Sequence, residues 1–371
     1  MAVGSAAQRY ASLKYALLAA DILSLAALLF FFQASGLSYL LAQKAASLCP
    51  PGPCPLIFYT VIAGCAYLLV MFPLHFFQGF VLEHRFLLSR QSFPRWMSDH
   101  LKAAAVSYCI LLLFLCAFYW LVRRFARHWW LLLSALWLLF SFLFARIVPL
   151  FLIPLFYKCR KVSDEGLRKR ILALAEKMGV GVIDVYEFDL SAKTAKANAA
   201  LTGMGKSRRI LLADTLKEKY THEEIEVIIA HELAHHKLKH IPKLIVFNAL
   251  AVLALFYFVY LTGPAASAFF GAGSLADLAA LPIVGLYAVL FGVITQPLGN
   301  FMNRCFERHA DECALSVTRS FEAFISAFQK LSSQNLADEN PHPIIKSLFF
   351  DHPPVSERIA MAHALRASGA G

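Results

Sequence analysis

Six apolar runs of about bilayer-crossing length mark the chain, at residues 15–32, 56–77, 103–122, 129–150, 244–262 and 281–298. About twenty apolar residues cross the hydrocarbon of a bilayer as a helix, so each run predicts a transmembrane span. The fourth continues through Val148-Pro149 to Pro154-Leu155-Phe156, which predicts a kinked extension beyond the membrane. The polar intervals differ in charge. Residues 79–102 carry Arg85, Arg90, Arg95 and Lys102, and residues 157–242 are rich in Lys and Arg, whereas residues 262–280 have neither. Short basic loops stay in the cytoplasm, so both termini and both basic segments are predicted to face it. Arg123-Arg124-Phe125-Ala126-Arg127 falls on the opposite side and is the exception.

The sizeable polar segment lies between spans four and five. Residues 164–178 have helical periodicity with charged outer positions, and residues 182–188 and 209–214 are apolar or β-branched enough for short strands. After span six, residues 301–331 predict one or two helices, and residues 356–366 another, begun by Pro353-Pro354. The organisation expected is four helices with a basic loop (1–156, loop 79–102), a cytoplasmic metalloprotease domain (157–242), two further spans (243–300), and a helical C-terminal part (301–371). The fold class is an all-α polytopic membrane protein with a small α+β cytoplasmic domain. No internal repeat argues for a solenoid.

Composition agrees. The chain is 59% hydrophobic and only 16% charged, with mean hydropathy +0.59, against about 45–50% and 25% in soluble domains. The first run lacks an Ala-x-Ala cleavage pattern and reads as a retained anchor. The net charge of +11 suits a basic face on anionic lipids. The cations are spread over loops without an aromatic-basic motif, which argues against nucleic acid as a partner. Eight cysteines are scattered without a Cys-x-x-Cys pair. Cys65, Cys109 and Cys116 read as packing residues, whereas Cys49 and Cys54, around Pro50-Pro51-Gly52-Pro53, are close enough in sequence for a disulfide on an extracytoplasmic face.

Chemistry concentrates in His231-Glu232-Leu233-Ala234-His235. Residues i and i+4 of a helix share a face, so the two imidazoles can hold one Zn2+ while Glu232 serves as general base. A zinc peptidase needs a third ligand and an open position. The motif helix is expected to enter span five near Lys243, and span six returns to the same side near Asn300. At about 1.5 Å per residue, the metal-binding side chain at the depth of His235 is Glu307. His309, Asp311 and Glu312 are rivals, and a pairing of Glu307 with Arg304 or Arg308 is the structural alternative. Asp311, one turn on, is placed to accept the free N–H of a ligating histidine. His236 and His240 point about 100° and 140° away from His235; both read as surface residues, His240 with the option of a hydrogen bond below the site.

Several blocks resemble the integral-membrane CAAX prenyl endopeptidases. They are Glu83-His84-Arg85-Phe86 with Ser92 and Asp99, Pro154 to Phe156, Ser191 to Gly203 with Asn198-Ala199-Ala200-Leu201-Thr202-Gly203 inside it, Arg209 to Leu216, the zinc motif, Glu307 to Asp311, and Asp351-His352-Pro353-Pro354 through Arg358. The resemblance implies transmembrane helices around an intramembrane chamber closed by the zinc site, and a peptide or lipidated-peptide substrate. It also implies Asn198 and Ala199 as contacts to the substrate backbone, His352 as the donor to the scissile carbonyl, and Arg358 as a further substrate-binding residue close to the site. An edge strand with open N–H and C=O groups suits the first of these roles. The chain departs from the family in having one span fewer than its seven-span members, Ala234 for glycine, His236 for tryptophan, and Ala200-Leu201 for two aromatics. The short form resembles a prokaryotic homologue of the cytoplasmic membrane. Two other readings stand beside it: a quality-control zinc protease for unlipidated peptides, and a receptor or transporter with a structural zinc, to which Asp21 and Asn248 within spans would belong.

Overall fold

The long apolar runs fold as helices in the computed structural model, which describes residues 3–203 and 208–369. Helices α1 (Val3–Ala34), α2 (Leu37–Leu48), α3 (Cys54–Phe76), α4 (Leu82–Arg85), α5 (Phe93–Arg124), α6 (Trp129–Ile147) and α7 (Ile153–Phe156) form the N-terminal half. Among the described residues five helical stretches are long and apolar enough to cross a membrane: Ala6–Ala34, Cys54–Arg85, Phe93–Arg124, His240–Phe269 and Leu278–Thr318. The fourth expected span is a shorter apolar helix, Trp129–Phe144, followed by a π-helical turn at Val148–Leu152. That turn is the kink expected at Pro149, where a missing N–H loosens the helical ladder.

The polar middle builds β1 (Cys159–Lys161), α8 (Glu165–Lys177), β2 (Val185–Phe188), β3 (Ala199–Thr202), β4 (Arg209–Ala213) and the short α9 (Asp214–Lys217). The strands lie in the order β1-β2-β4-β3, with β2 and β4 parallel and the outer pairs antiparallel, so β3 is an edge. The sheet is covered by α8 and by α10 (His222–Lys237), through Ile171, Leu174, Ile210, Leu212, Ile225, Ile229 and Leu233. Then come α11 (His240–Phe269), α12 (Leu281–Thr318), α13 (Phe321–Asn335), α14 (Pro343–Phe349) and α15 (Val355–Ala367).

The motif helix does not run on into span five. Lys239 takes a left-handed conformation, φ 57°, and α11 starts afresh at His240. Pro242, in the first turn of α11, is tolerated there and would have broken a continuous helix. Span six and Glu307 instead share one helix, α12. Ala230 and Ala234 of α10 and Ala310 and Ala314 of α12 are all fully buried; their small side chains let the two helix backbones approach.

The turn Arg123–Arg127 lies at the end of the bundle away from α10. The guanidinium of Arg123 donates to the Ala276 carbonyl at 3.0 Å and covers the Tyr119 ring. Its charge is thus a fastener between α5 and the turn after α11. The short α2 caps the same end: Ser38 Oγ donates to the Ala279 carbonyl at 2.7 Å and pairs with the Tyr59 hydroxyl at 2.6 Å. Cys49 and Cys54 beside it are free thiols.

Candidate metal centre

The metal motif stands on a helix fastened at its start. Thr221 and Glu224 form a reciprocal capping box on α10, and Ser326 and Lys330 of α13 donate to Glu224 at 2.5 and 2.7 Å. His231, Glu232 and His235 then project from α10, and Glu307 comes from α12.

His231 Nε2 lies 3.1 Å from Glu307 Oε2, His235 Nε2 lies 3.2 Å from Glu307 Oε1, and the two Nε2 atoms are 3.2 Å apart. Tetrahedral ligands about 2.0–2.1 Å from zinc are themselves about 3.3 Å apart, so the spacing suits one ion, with Glu307 turning a different oxygen to each histidine. Glu307 Oε2 is buried and forms no hydrogen bond among the described residues, as an oxygen reserved for a cation would be. Among the described residues this is the group of His, Cys, Asp and Glu that can hold a metal.

The structural alternative for Glu307 is not what the fold adopts. Arg304 donates to the backbone carbonyls of Lys346 and Phe350, and Arg308 to Glu357. Both arginines thus tie α12 to the C-terminal helices and leave Glu307 to the histidines.

The imidazoles are held from behind. His231 Nδ1 meets Asp311 Oδ1 at 2.8 Å, and Asp311 is completely buried. Arg358 donates to both oxygens of Asp311, with Nε at 2.7 Å from Oδ2, while its guanidinium lies 3.7 Å from the Phe328 ring centre. Arg358 was expected at the substrate; it lies close to the site, but its guanidinium is engaged by Asp311. His240 Nδ1 meets His235 Nδ1 at 3.1 Å and stacks on Phe306, 4.5 Å between ring centres. The expectation of a surface position fails for His240, which is buried, and that of a hydrogen bond below the site holds.

Burial depresses the His231 imidazole, but Asp311 outweighs it and holds it up, at about 10. Burial pushes Glu232 up, against the pull of both histidines. A raised carboxyl beside the cluster suits a group that accepts and returns a proton.

Glu232, His231, Asn198, Ala199, His352 and Arg358 line one cavity of about 500 Å³. His352 is more than half exposed; its Nε2 reaches Glu307 Oε1 at 3.5 Å, and its Nδ1 is held by Asp351 at 2.9 Å. On the opposite wall, Asn198 points its carbonyl at β4, where Ala213 N–H donates to it at 3.0 Å. Alternation then turns the N–H and C=O of Ala197, Ala199 and Leu201 to the free edge. Asn335 takes Ala197, accepting from its N–H at 3.0 Å and donating to its C=O at 3.4 Å. The His236 ring lies beside the Leu201 carbonyl. Among the described residues the outward N–H and C=O of Ala199 have no partner. His236 is therefore half-buried at the edge strand, not the surface residue its helical angle predicts.

Two resemblance blocks a hundred residues apart meet below this edge. Lys193 pairs with Asp99 at 2.6 Å, Lys196 pairs with Glu83 at 2.8 Å, and Thr194 Oγ donates to the Leu88 carbonyl at 2.7 Å. The basic loop thus holds the strand that lines the cleft.

Comparison with known proteins fits this architecture. The profile described as peptidase family M48 matches residues 161–366, and that of the CAAX prenyl protease N-terminal region, five membrane helices, matches residues 4–158. The chain is 31% identical over 298 residues to a Bacillus subtilis protein called uncharacterized metalloprotease YhfN, covering 79% of this chain and 70% of that one. It is 28% identical over 316 residues to CAAX prenyl protease 1 of Saccharomyces cerevisiae, covering 78% and 68%. The crystal structure of S. mikatae Ste24p superposes with a TM-score of 0.86 at 23% identity, covering 96% of this chain and 88% of that one.

Proposed function

The chain belongs to peptidase family M48 and is a membrane metalloendopeptidase; from that premise we propose that its metal is one zinc ion held by His231, His235 and Glu307. The observation that carries the assignment is the triangle of 3.1 to 3.2 Å between their facing atoms. A zinc ion there supplies Lewis acidity, polarising a carbonyl and lowering the pKa of water toward about 7. Glu232 takes the proton of the attacking water and delivers it to the leaving amine. His352, exposed in the cleft and oriented by Asp351, donates to the carbonyl oxygen as negative charge develops. Asp311 fixes the tautomer and angle of His231, and Arg358 fixes Asp311. Asn198 and Ala199 present the edge on which substrate lies, Ala199 by its open backbone groups.

The substrate class we assign is a prenylated-type peptide cut near its C-terminus. It is supported by relatives named CAAX prenyl proteases and by a cleft that combines aromatic walls, Tyr10, Tyr15 and Phe349, with an open strand edge. The termini and cleft face the cytoplasm of a bacterial inner membrane, in keeping with the basic segments 79–102 and 157–242. The test is cleavage of one peptide with and without a farnesyl group by the zinc-loaded protein in proteoliposomes. Faster cleavage of the farnesylated form supports the assignment; equal cleavage favours a quality-control protease, and cleavage of neither refutes both.

A further inference from the structure

Lys14 is a cation that the fold leaves open inside the cleft. It lies within the membrane-crossing stretch Ala6–Ala34, where a lysine is costly unless it faces a partner or a hydrated cavity. It lines the 500 Å³ cavity at the metal cluster and also a second one of about 410 Å³ that runs among His75, Trp96 and His100. The two cavities share Lys14 and Gln78. The nearby carboxylates are taken. Glu83 accepts from Lys196 at 2.8 Å and from the Tyr10 hydroxyl at 2.5 Å, and Asp351 holds His352 at 2.9 Å. Lys14 Nζ lies 5.9 Å and Lys196 Nζ 5.5 Å from the Tyr10 ring centre, and among the described residues Lys14 forms no ion pair.

The strand edge aims a peptide at this point. Antiparallel pairing is the more stable arrangement, and a peptide laid antiparallel on Ala199 runs toward its own C-terminus past Ala197 and Lys196. Asn335 already occupies both edge groups of Ala197, so the ladder ends there. A chain leaving the edge at that position enters the space that Lys14 and Gln78 line.

We infer that Lys14, with Gln78 beside it, forms a carboxylate-binding subsite that receives the free C-terminus of the peptide. The protein would then select scissile bonds a few residues from a chain end. This inference rests on the peptidase reading and narrows its substrate class.

The test uses the full-length zinc-loaded protein and two prenylated peptides, identical except that one ends in a carboxylate and the other in a carboxamide. A charge-assisted hydrogen bond contributes about 1.5–3 kcal/mol, so the acid is expected to be cut about ten- to a hundredfold faster in kcat/KM. Lys14→Met is expected to bring the ratio close to one, and Lys14→Arg to keep most of it. Equal cleavage of acid and amide by the wild type overturns the inference without any variant having to fold, and so does a ratio that survives Lys14→Met. Cleavage of neither peptide overturns the peptidase reading and this inference with it.

Discussion

Asp311→Asn removes one charge from the most enclosed part of the metal centre and leaves its shape. Asp311 is 0% exposed, with Oδ1 at 2.8 Å from His231 Nδ1 and Oδ2 at 2.7 Å from Arg358 Nε. In the variant the buried Arg358 guanidinium has no carboxylate in hydrogen-bonding contact, since Glu307 Oε2 is 3.8 Å away. Breaking a buried pair by removing one partner costs about 3–5 kcal/mol. Losing the carboxylate behind a ligating histidine lowers metal affinity by about ten- to a hundredfold. The two losses can be separated. Thermal unfolding of the purified protein with and without zinc reads the first, and competition with a chromophoric chelator reads the second. The double variant Asp311→Asn/Arg358→Met leaves no unpaired charge, so it is expected to regain stability relative to Asp311→Asn but not zinc affinity. Zinc binding by Asp311→Asn as tight as wild type would refute the positioning role, and simple addition of the two single effects on stability would refute the coupling.

Three further changes probe the scaffold and the edge. Thr221→Ala removes the cap of α10 and is expected to cost about 1 kcal/mol, read as a lower unfolding temperature; no change would mean the box does not anchor the motif helix. Ala199→Pro deletes the outward N–H of the edge strand, which leaves its pairing with β4 intact, and loss of one hydrogen bond worth about 0.5–1.5 kcal/mol should lower kcat/KM about two- to tenfold with the unfolding temperature kept; an unchanged kcat/KM would show that substrate does not use this edge. Asp184 is held below the usual carboxylate range by Arg168, with Lys161 also in contact. A depressed carboxyl stabilises the fold above its unfolded pKa of about 3.9 and loses that contribution as pH falls toward the folded value. Asp184→Asn should therefore melt lower than wild type at neutral pH, with the difference shrinking in acid; a difference independent of pH would contradict the charge pairing.

Run length finds the five membrane-length helices, because the bilayer fixes how many apolar residues a span needs, and counts the shorter Trp129–Phe144 helix as a sixth. It missed α2, whose twelve residues are too short for that rule and which is held by the Ser38 contacts to Tyr59 and Ala279. The α11–α12 hairpin points to Glu307, but His235 lies on α10, beyond the break at Lys239, and it is the direct packing of α10 on α12, with Ala230, Ala234, Ala310 and Ala314 buried between them, that brings the two level. The break before His240 had its signal in Pro242, which the continuous-helix reading passed over. Arg358 on Asp311, His236 on Leu201 and Asn335 on Ala197 were not legible. Each joins residues 35 or more apart in sequence on different elements, and neither period nor spacing encodes such meetings. The resemblance blocks named Glu83 and Asp99, but only the fold shows that they hold Lys196 and Lys193 beneath the cleft.

Glu232 is assigned the proton transfer at a zinc held by its neighbours. The most direct test of that role is peptide cleavage by Glu232→Gln purified with its metal content measured alongside. One zinc per chain is expected, as in the wild type, with cleavage slowed by about a hundred- to ten-thousandfold. Cleavage at the wild-type rate by the zinc-loaded variant would contradict that role.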